Sequence, residues 1–231
     1  MFEHLSDPTI WGIVILSLKV AFLAVLVALP LAIVMGKILA GPAFLGRSLL
    51  SAIVHLPLVL PPVVTGYALL IVFGRRGWIG SVLDDWGLGF TFSWVGAALA
   101  AGLMAFPLIV RPIRLAFETQ SSDLNDMAKT LGAGSFKLFF KVALPLAWPG
   151  IIAGAVLGFA KALGEFGATI TFVSNIPGET QTLSLAIYTL LQSPRGDGAA
   201  LTLIAISIVL SFVAILASEW MTTSAQNRME R

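Results

Sequence analysis

Apolar residues run along this chain in long unbroken blocks, parted by short clusters of charge. The blocks run from Ile10 to about Met35, about Leu49 to Phe73, about Phe92 to Val110, about Leu146 to Thr169 and about Ala199 to Ala217. A helix needs about 20 mostly apolar residues to cross about 30 Å of hydrocarbon. The blocks are continuous rather than alternating, which sets aside a membrane β-barrel. The pattern predicts an all-α integral membrane protein with five transmembrane helices, one transmembrane domain over residues 1–231. Trp11, Trp94 and Trp148 start the first, third and fourth blocks, and Trp220 ends the fifth. An indole at such a place either lies at headgroup level or packs in a core.

The composition agrees. Of 231 residues 58% are hydrophobic and 11% charged, and the mean hydropathy is +0.95; a soluble domain carries about 25% charged residues. The net charge of +2, with no basic patch among aromatics, argues against a nucleic-acid partner. The absence of cysteine excludes disulfides, thiolate metal sites and a cysteine nucleophile. The start, MFEHLSDPTIW, holds Glu3 and Asp7 but no Lys or Arg. It does not read as a cleavable signal peptide, so the first block is expected to be retained as a span.

Lys and Arg fall mainly on one side of the blocks. Lys37 and Arg47 separate the first two; Arg111, Arg114, Lys129, Lys137 and Lys141 separate the third and fourth; Arg228 and Arg231 lie in the tail. The opposite side has only Arg75, Arg76 and Arg195, offset by Asp84, Asp85, Glu179 and Asp197. The positive side is expected to be cytoplasmic, with the N-terminus outside and the C-terminus inside.

Between Arg111 and Leu146 the chain is expected to stay near water. Ser122 and Asp123 are good N-caps, after which Leu124, Met127, Ala128 and Leu131 fall at helical spacing. Gly132 and Gly134 break that helix. Ser135 can cap a second, on which Phe136, Phe139, Phe140 and Ala143 share a face beside Lys137 and Lys141. Pro145 should end it, because proline disfavours α geometry in the residue before it. Such a pair of amphipathic helices either rests on headgroups or docks onto a soluble partner.

This stretch resembles the cytoplasmic loop of binding-protein-dependent ABC importer permeases, whose motif reads Glu-Ala-Ala, three residues, Gly, nine residues, Ile-x-Leu-Pro. Here Asp126-Met127-Ala128, Gly132 and Val142-Ala143-Leu144-Pro145 keep both gaps. Asp for Glu, Met for Ala and Val for Ile are departures. The resemblance implies a type I importer permease fold with its core at about 11–220. It implies that the loop, about 118–145, docks into a cleft on a separate ATPase; Phe136 and Phe139 join the motif residues as candidate contacts. The chain has no P-loop Gly-x-x-x-x-Gly-Lys-Ser/Thr, so ATP and Mg are expected on that partner, with no cofactor, metal or catalytic site on this chain.

HLPLVLPPVVTGYALLIVFG (55–74) and KALGEFGATITFVSN (161–175) look like the molybdate branch of those permeases, with sulfate permeases as nearest relatives. The resemblance implies two ATPase subunits, a periplasmic molybdate-binding protein touching the 75–91 and 175–198 loops, a second copy of this chain and a bacterial inner-membrane location. Sulfate, thiosulfate and tungstate importers are the alternatives. A secondary anion transporter is more distant, since no internal repeat is seen. No catalytic cluster suggests a membrane enzyme.

The same segments carry candidates on physical grounds. Pro57, Pro61 and Pro62 remove backbone hydrogen bonds in the second block. Such breaks face protein or a water-filled cavity, either as packing kinks or along a path that Thr65 and Gly66 would line. Lys161 and Glu165, four residues apart, would share a helix face. Lys161 lies sixteen residues past Pro145, about 24 Å along a helix, toward the outer side. Either the two neutralise each other, or Lys161 attracts an oxyanion while Glu165 limits how tightly it is held. Lys19 is a further intramembrane charge. His55 reads as a satisfied polar group rather than a metal ligand.

Overall fold

The computed structural model describes residues 7–120, 134–194 and 196–229, and all regular structure among them is helical. The first helix, α1 (Pro8–Ala40), starts where the Asp7 carboxylate accepts the Thr9 N–H at 2.8 Å and Pro8 takes the first turn, a position where a missing N–H costs nothing. It continues well past the expected end, carrying Pro30 inside it. The third block likewise extends. Helix α5 (Trp94–Glu118) is capped by the Ser93 hydroxyl, which accepts the Gly96 N–H at 3.1 Å. It runs on through Arg111, Pro112 and Arg114, residues expected to lie in the loop.

The second block is not one rod. Helices α2 (Arg47–Val59) and α3 (Pro62–Phe73) meet at a bend of 113°. Pro57 lies inside α2 without breaking it; the break falls at Leu60–Pro61. Leu60 is extended (ψ 143°), the geometry that a following proline favours, and Pro62 starts α3 in the favoured first-turn position. A short helix, α4 (Gly80–Asp85), occupies the 75–91 loop.

The cytoplasmic stretch departs from expectation at Pro145. Helix α6 (Ser135–Leu138) passes into a π turn, Phe139–Ala143, closed by the Leu144 N–H on the Phe139 carbonyl, and then into α7 (Leu144–Leu146). Leu144 keeps helical angles (φ −68°, ψ −45°), so Pro145 does not end the helix. A proline ring presses on the carbonyl four residues back in a tight α turn; the wider turn before it relieves that contact. The direction changes instead at Ala147, where the chain bends by 65° into α8 (Trp148–Leu163). Asp126, Met127, Ala128 and Gly132, with the helix expected around them, lie outside the described residues.

The fourth block is also broken. Helix α8 ends at Leu163, and α9 (Gly167–Val173) begins after Gly164, Glu165 and Phe166. The expected 175–198 loop contains α10 (Leu183–Leu191), apolar but far too short to cross a membrane. Its first N–H, from Leu183, is taken by the buried Ser17 hydroxyl of α1 at 2.7 Å. Helix α11 (Asp197–Met229) continues beyond Ala217 and Trp220. Among the described residues three helices can cross a membrane by length and apolarity, or up to five if each bent pair, Arg47–Val59 with Pro62–Phe73 and Phe136–Leu146 with Trp148–Leu163, counts as one span.

Helix α5 is the centre, packed by α1 on one side and α8 on the other. The contacts are made by small side chains: Ala21, Ala24, Ala28 and Ala32 of α1 and Ala97, Ala101 and Ala105 of α5 are buried. Where lipid removes the hydrophobic drive between helices, close backbone approach supplies the packing. At Gly154 of α8 a Cβ would stand 2.8 Å from the Ile109 carbonyl.

Candidate functional site

Two groups of predicted residues come together in space. In the first, the break between α2 and α3 meets the break between α8 and α9. A Cβ on Gly167 would lie 2.7 Å from Cβ of Pro62, and one on Gly66 would lie 2.6 Å from the Ala168 carbonyl and 2.8 Å from Cβ of Thr171. Two broken helices thus touch at their breaks, with glycine on each side of the contact. Thr65 is buried there, its hydroxyl without a hydrogen-bond partner among the described residues. Pro61 stands at the bend itself, next to α3, and Pro57 lies within α2, about one turn before it.

Glu165 stands at the same break. Its side chain is 1% exposed and that of Lys161 29%. One carboxylate oxygen accepts the Lys161 ammonium at 2.5 Å, the other the Ala168 N–H at 3.0 Å. The pair was expected to share one helix face. It instead bridges the end of α8 and the start of α9, because Glu165 lies past the last turn of α8. The carboxylate therefore has two tasks: it offsets a charge and satisfies a free N–H at a helix start.

The second group is at the other end of α8. Phe139 turns inward and stacks near Phe117 of α5, centroids 6.3 Å apart, and Lys37 of α1 lies over the Phe117 ring at 4.8 Å. Phe136 and Phe140 contact each other at 4.5 Å and stay exposed, Phe136 at 78%. Gln120, just past α5, donates to the Ala143 carbonyl at 2.8 Å and so ties the π turn to α5. Arg114 donates to Glu118 at 2.8 Å; Arg47 donates to Glu118 at 3.4 Å and to the Leu39 carbonyl. Val142, Leu144 and Pro145 lie in or just after the π turn, between the exposed rings and α8.

Several contacts were not foreseen. Lys19 lies 3.6 Å over the Trp94 ring, a cation–π contact that accounts for part of its placement. Ser17 and Gln120 bind backbone groups of distant segments. None has a local signature, because each partner comes from an element far away in sequence. His55 donates from Nδ1 to the Ser51 carbonyl at 2.7 Å, in keeping with its reading as a satisfied polar group. Among the described residues no three His, Asp or Glu stand together to hold a metal ion.

Comparison with known proteins settles the family. The profile of the binding-protein-dependent transport system inner membrane component family matches residues 28–225. This chain belongs to that family. It is an apolar, multi-pass inner-membrane protein. It is similar to the molybdenum transport system permease protein ModB of Escherichia coli (strain K12), 55% identical over 228 residues, covering 98% of this chain and 99% of that one. It is similar also to ModB of Haemophilus influenzae, 51% identical, covering 93% and 94%. Its fold matches the crystal structure of a bacterial ABC transporter involved in the import of the acidic polysaccharide alginate, with a TM-score of 0.75 at 20% identity, covering 96% of this chain and 82% of that one. The type I importer permease fold is thereby shared.

Proposed function

We propose that this chain is the permease subunit of an ATP-driven importer that carries molybdate across the cytoplasmic membrane by alternating access. The observation that carries the reading is its identity, over nearly its whole length, to permeases named for molybdenum transport. In this reading the five apolar segments are five spans, α2 and α3 together making the second, with the N-terminus outside and the C-terminus inside. The grouping of Lys37, Arg47 and Arg114 around the ends of α1 and α5 supports that orientation.

Two ATPase subunits, two copies of this chain and a periplasmic binding protein form the working assembly. ATP and Mg bind the ATPases. The segment 118–145 is the lever on which the ATPase acts; its support is the exposed pair Phe136 and Phe140, backed by Phe139 on Phe117 and joined through Leu144-Pro145 to α8. Pro57, Pro61, Pro62, Thr65 and Gly66 shape the path or gate with Lys161 and Glu165. A tetrahedral dianion competes with the Glu165 carboxylate for the Lys161 ammonium, which keeps its hold brief.

The test is uptake of labelled molybdate by vesicles holding the full assembly, with sulfate and tungstate as competitors. Uptake that needs ATP and the binding protein, and that sulfate does not displace, supports the reading. Uptake driven by a proton or sodium gradient without ATP, or displacement by sulfate at equal concentration, overturns it. Phe136→Ala should leave the assembly intact while uncoupling ATP hydrolysis from uptake.

A further inference from the structure

The molecule has a groove that the transport reading does not use. It lies between α1 and α5 on the outside of the bundle, with a volume of about 470 Å³. Leu23, Val27 and Leu31 line one wall and Leu99, Leu103 and Phe106 the other. Every lining side chain is apolar. Buried Ala24, Ala28 and Gly102 form the floor, where the helix backbones approach closely enough that a Cβ on Gly102 would lie 3.2 Å from the Ala24 carbonyl.

Lys19 stands at the head of the same stripe. Positions 19, 23, 27 and 31 are spaced by four residues, so they follow one face of α1. Lys19 is exposed and makes no salt bridge among the described residues; its ammonium lies over Trp94, whose neighbour Val95 also lines the groove. A lysine near the head of a span carries its ammonium to the interface, where lipid phosphates lie. The indole face beneath it brings no counter-charge.

We propose that the groove holds one acyl chain of an anionic phospholipid, with its phosphate on Lys19. Length distinguishes this occupant from a helix of a second copy. From Lys19 to Leu31 is twelve residues, about 18 Å at about 1.5 Å per residue. One leaflet is half of about 30 Å, so the groove matches one leaflet, where a transmembrane helix would need the full depth. Trp94 at its head suits the headgroup level, where indoles concentrate. The proposal does not depend on which anion is transported.

Native mass spectrometry of the purified complex, after exchange into mixed phosphatidylglycerol and phosphatidylcholine, tests it. The unaltered protein should retain one phospholipid per chain, with phosphatidylglycerol preferred by about fivefold, the gain expected from one Lys near a lipid surface. Lys19→Gln should keep the lipid and lose the preference. Val27→Trp, at a position 56% exposed and so tolerant of a larger side chain, should expel both lipids. Retention of no lipid by the unaltered protein, or an unchanged preference in Lys19→Gln, overturns the proposal. So does a crosslink between two copies through Val27→Cys, which would make the groove a protein interface.

Discussion

Two basic–acidic pairs in this chain have the same spacing and opposite roles. Arg114 and Glu118 lie one turn apart on the unbroken end of α5, with side chains about a third exposed. Lys161 and Glu165 are also four residues apart, but Glu165 is buried past the end of α8 and caps α9 as well. The first pair lies along an intact helix, where Glu118 also accepts from Arg47 at the start of α2 at 3.4 Å; the second occupies the place where a helix stops. Spacing alone does not tell a surface pair from a hinge. Burial does, along with what else the acid binds.

The largest consequence should follow from Glu165→Ala. It removes the partner of Lys161 and the cap of α9 together, and should cost about 3 kcal/mol, as breaking a buried pair does. Thermal unfolding of the protein in detergent would show it, with molybdate uptake lost in parallel. Next is Gly66→Ala. The added Cβ meets the backbone of α9, which cannot yield as a side-chain tip can, and overpacking of this kind should cost about 2 kcal/mol.

Glu165→Gln sharpens the comparison further. Its amide oxygen can still accept the Ala168 N–H, while Lys161 loses its counter-charge. A loss of about 1.5 kcal/mol, the value of a hydrogen bond to a charged group, would separate pairing from capping. The smallest effect belongs to Glu118→Ala, about 1 kcal/mol or less, because both its partners, Arg114 and Arg47, stay partly in solvent. Equal losses for Glu118→Ala and Glu165→Ala in the same unfolding assay would end the distinction between the two.

The existence of the apolar segments was legible because hydrocarbon demands long runs of carbon, and such runs cannot be mistaken for much else. The breaks were legible only in part. Pro61–Pro62 announced theirs, since a proline restrains the residue before it. Gly164-Glu165-Phe166 did not: Lys161 and Glu165 at helical spacing read as continuity, and the competing cap on Ala168 is visible only once α9 is in place. Pro145 misled for a related reason. A proline strains a regular α turn, but a π turn just before it leaves room for the ring. Helix α10 was hidden by length, being apolar yet too short to count as a span. Lys19, Ser17 and Gln120 find their partners across the fold, and no local pattern names a partner some 75, 166 or 23 residues away.

The π turn at Phe139–Ala143 has a further consequence. A turn closed from Leu144 back to Phe139 holds one residue more than an α turn. Each residue advances a helix by about 100°, from about 3.6 residues per turn. The wide turn advances less per residue than that, so it takes up its extra residue within itself, and the helices before and after it keep nearly the phase of one continuous α helix. Phe139 faces α5 while Phe136 and Phe140 stay exposed. Deleting one residue inside the turn would return it to ordinary pitch, leave the exposed rings nearly in place and press the Pro145 ring on the carbonyl four residues back. A deletion before the turn, within residues 136–138, would instead rotate what precedes it by about 100°. The π turn is thus a place where the count of residues can change without turning the surface that a partner meets.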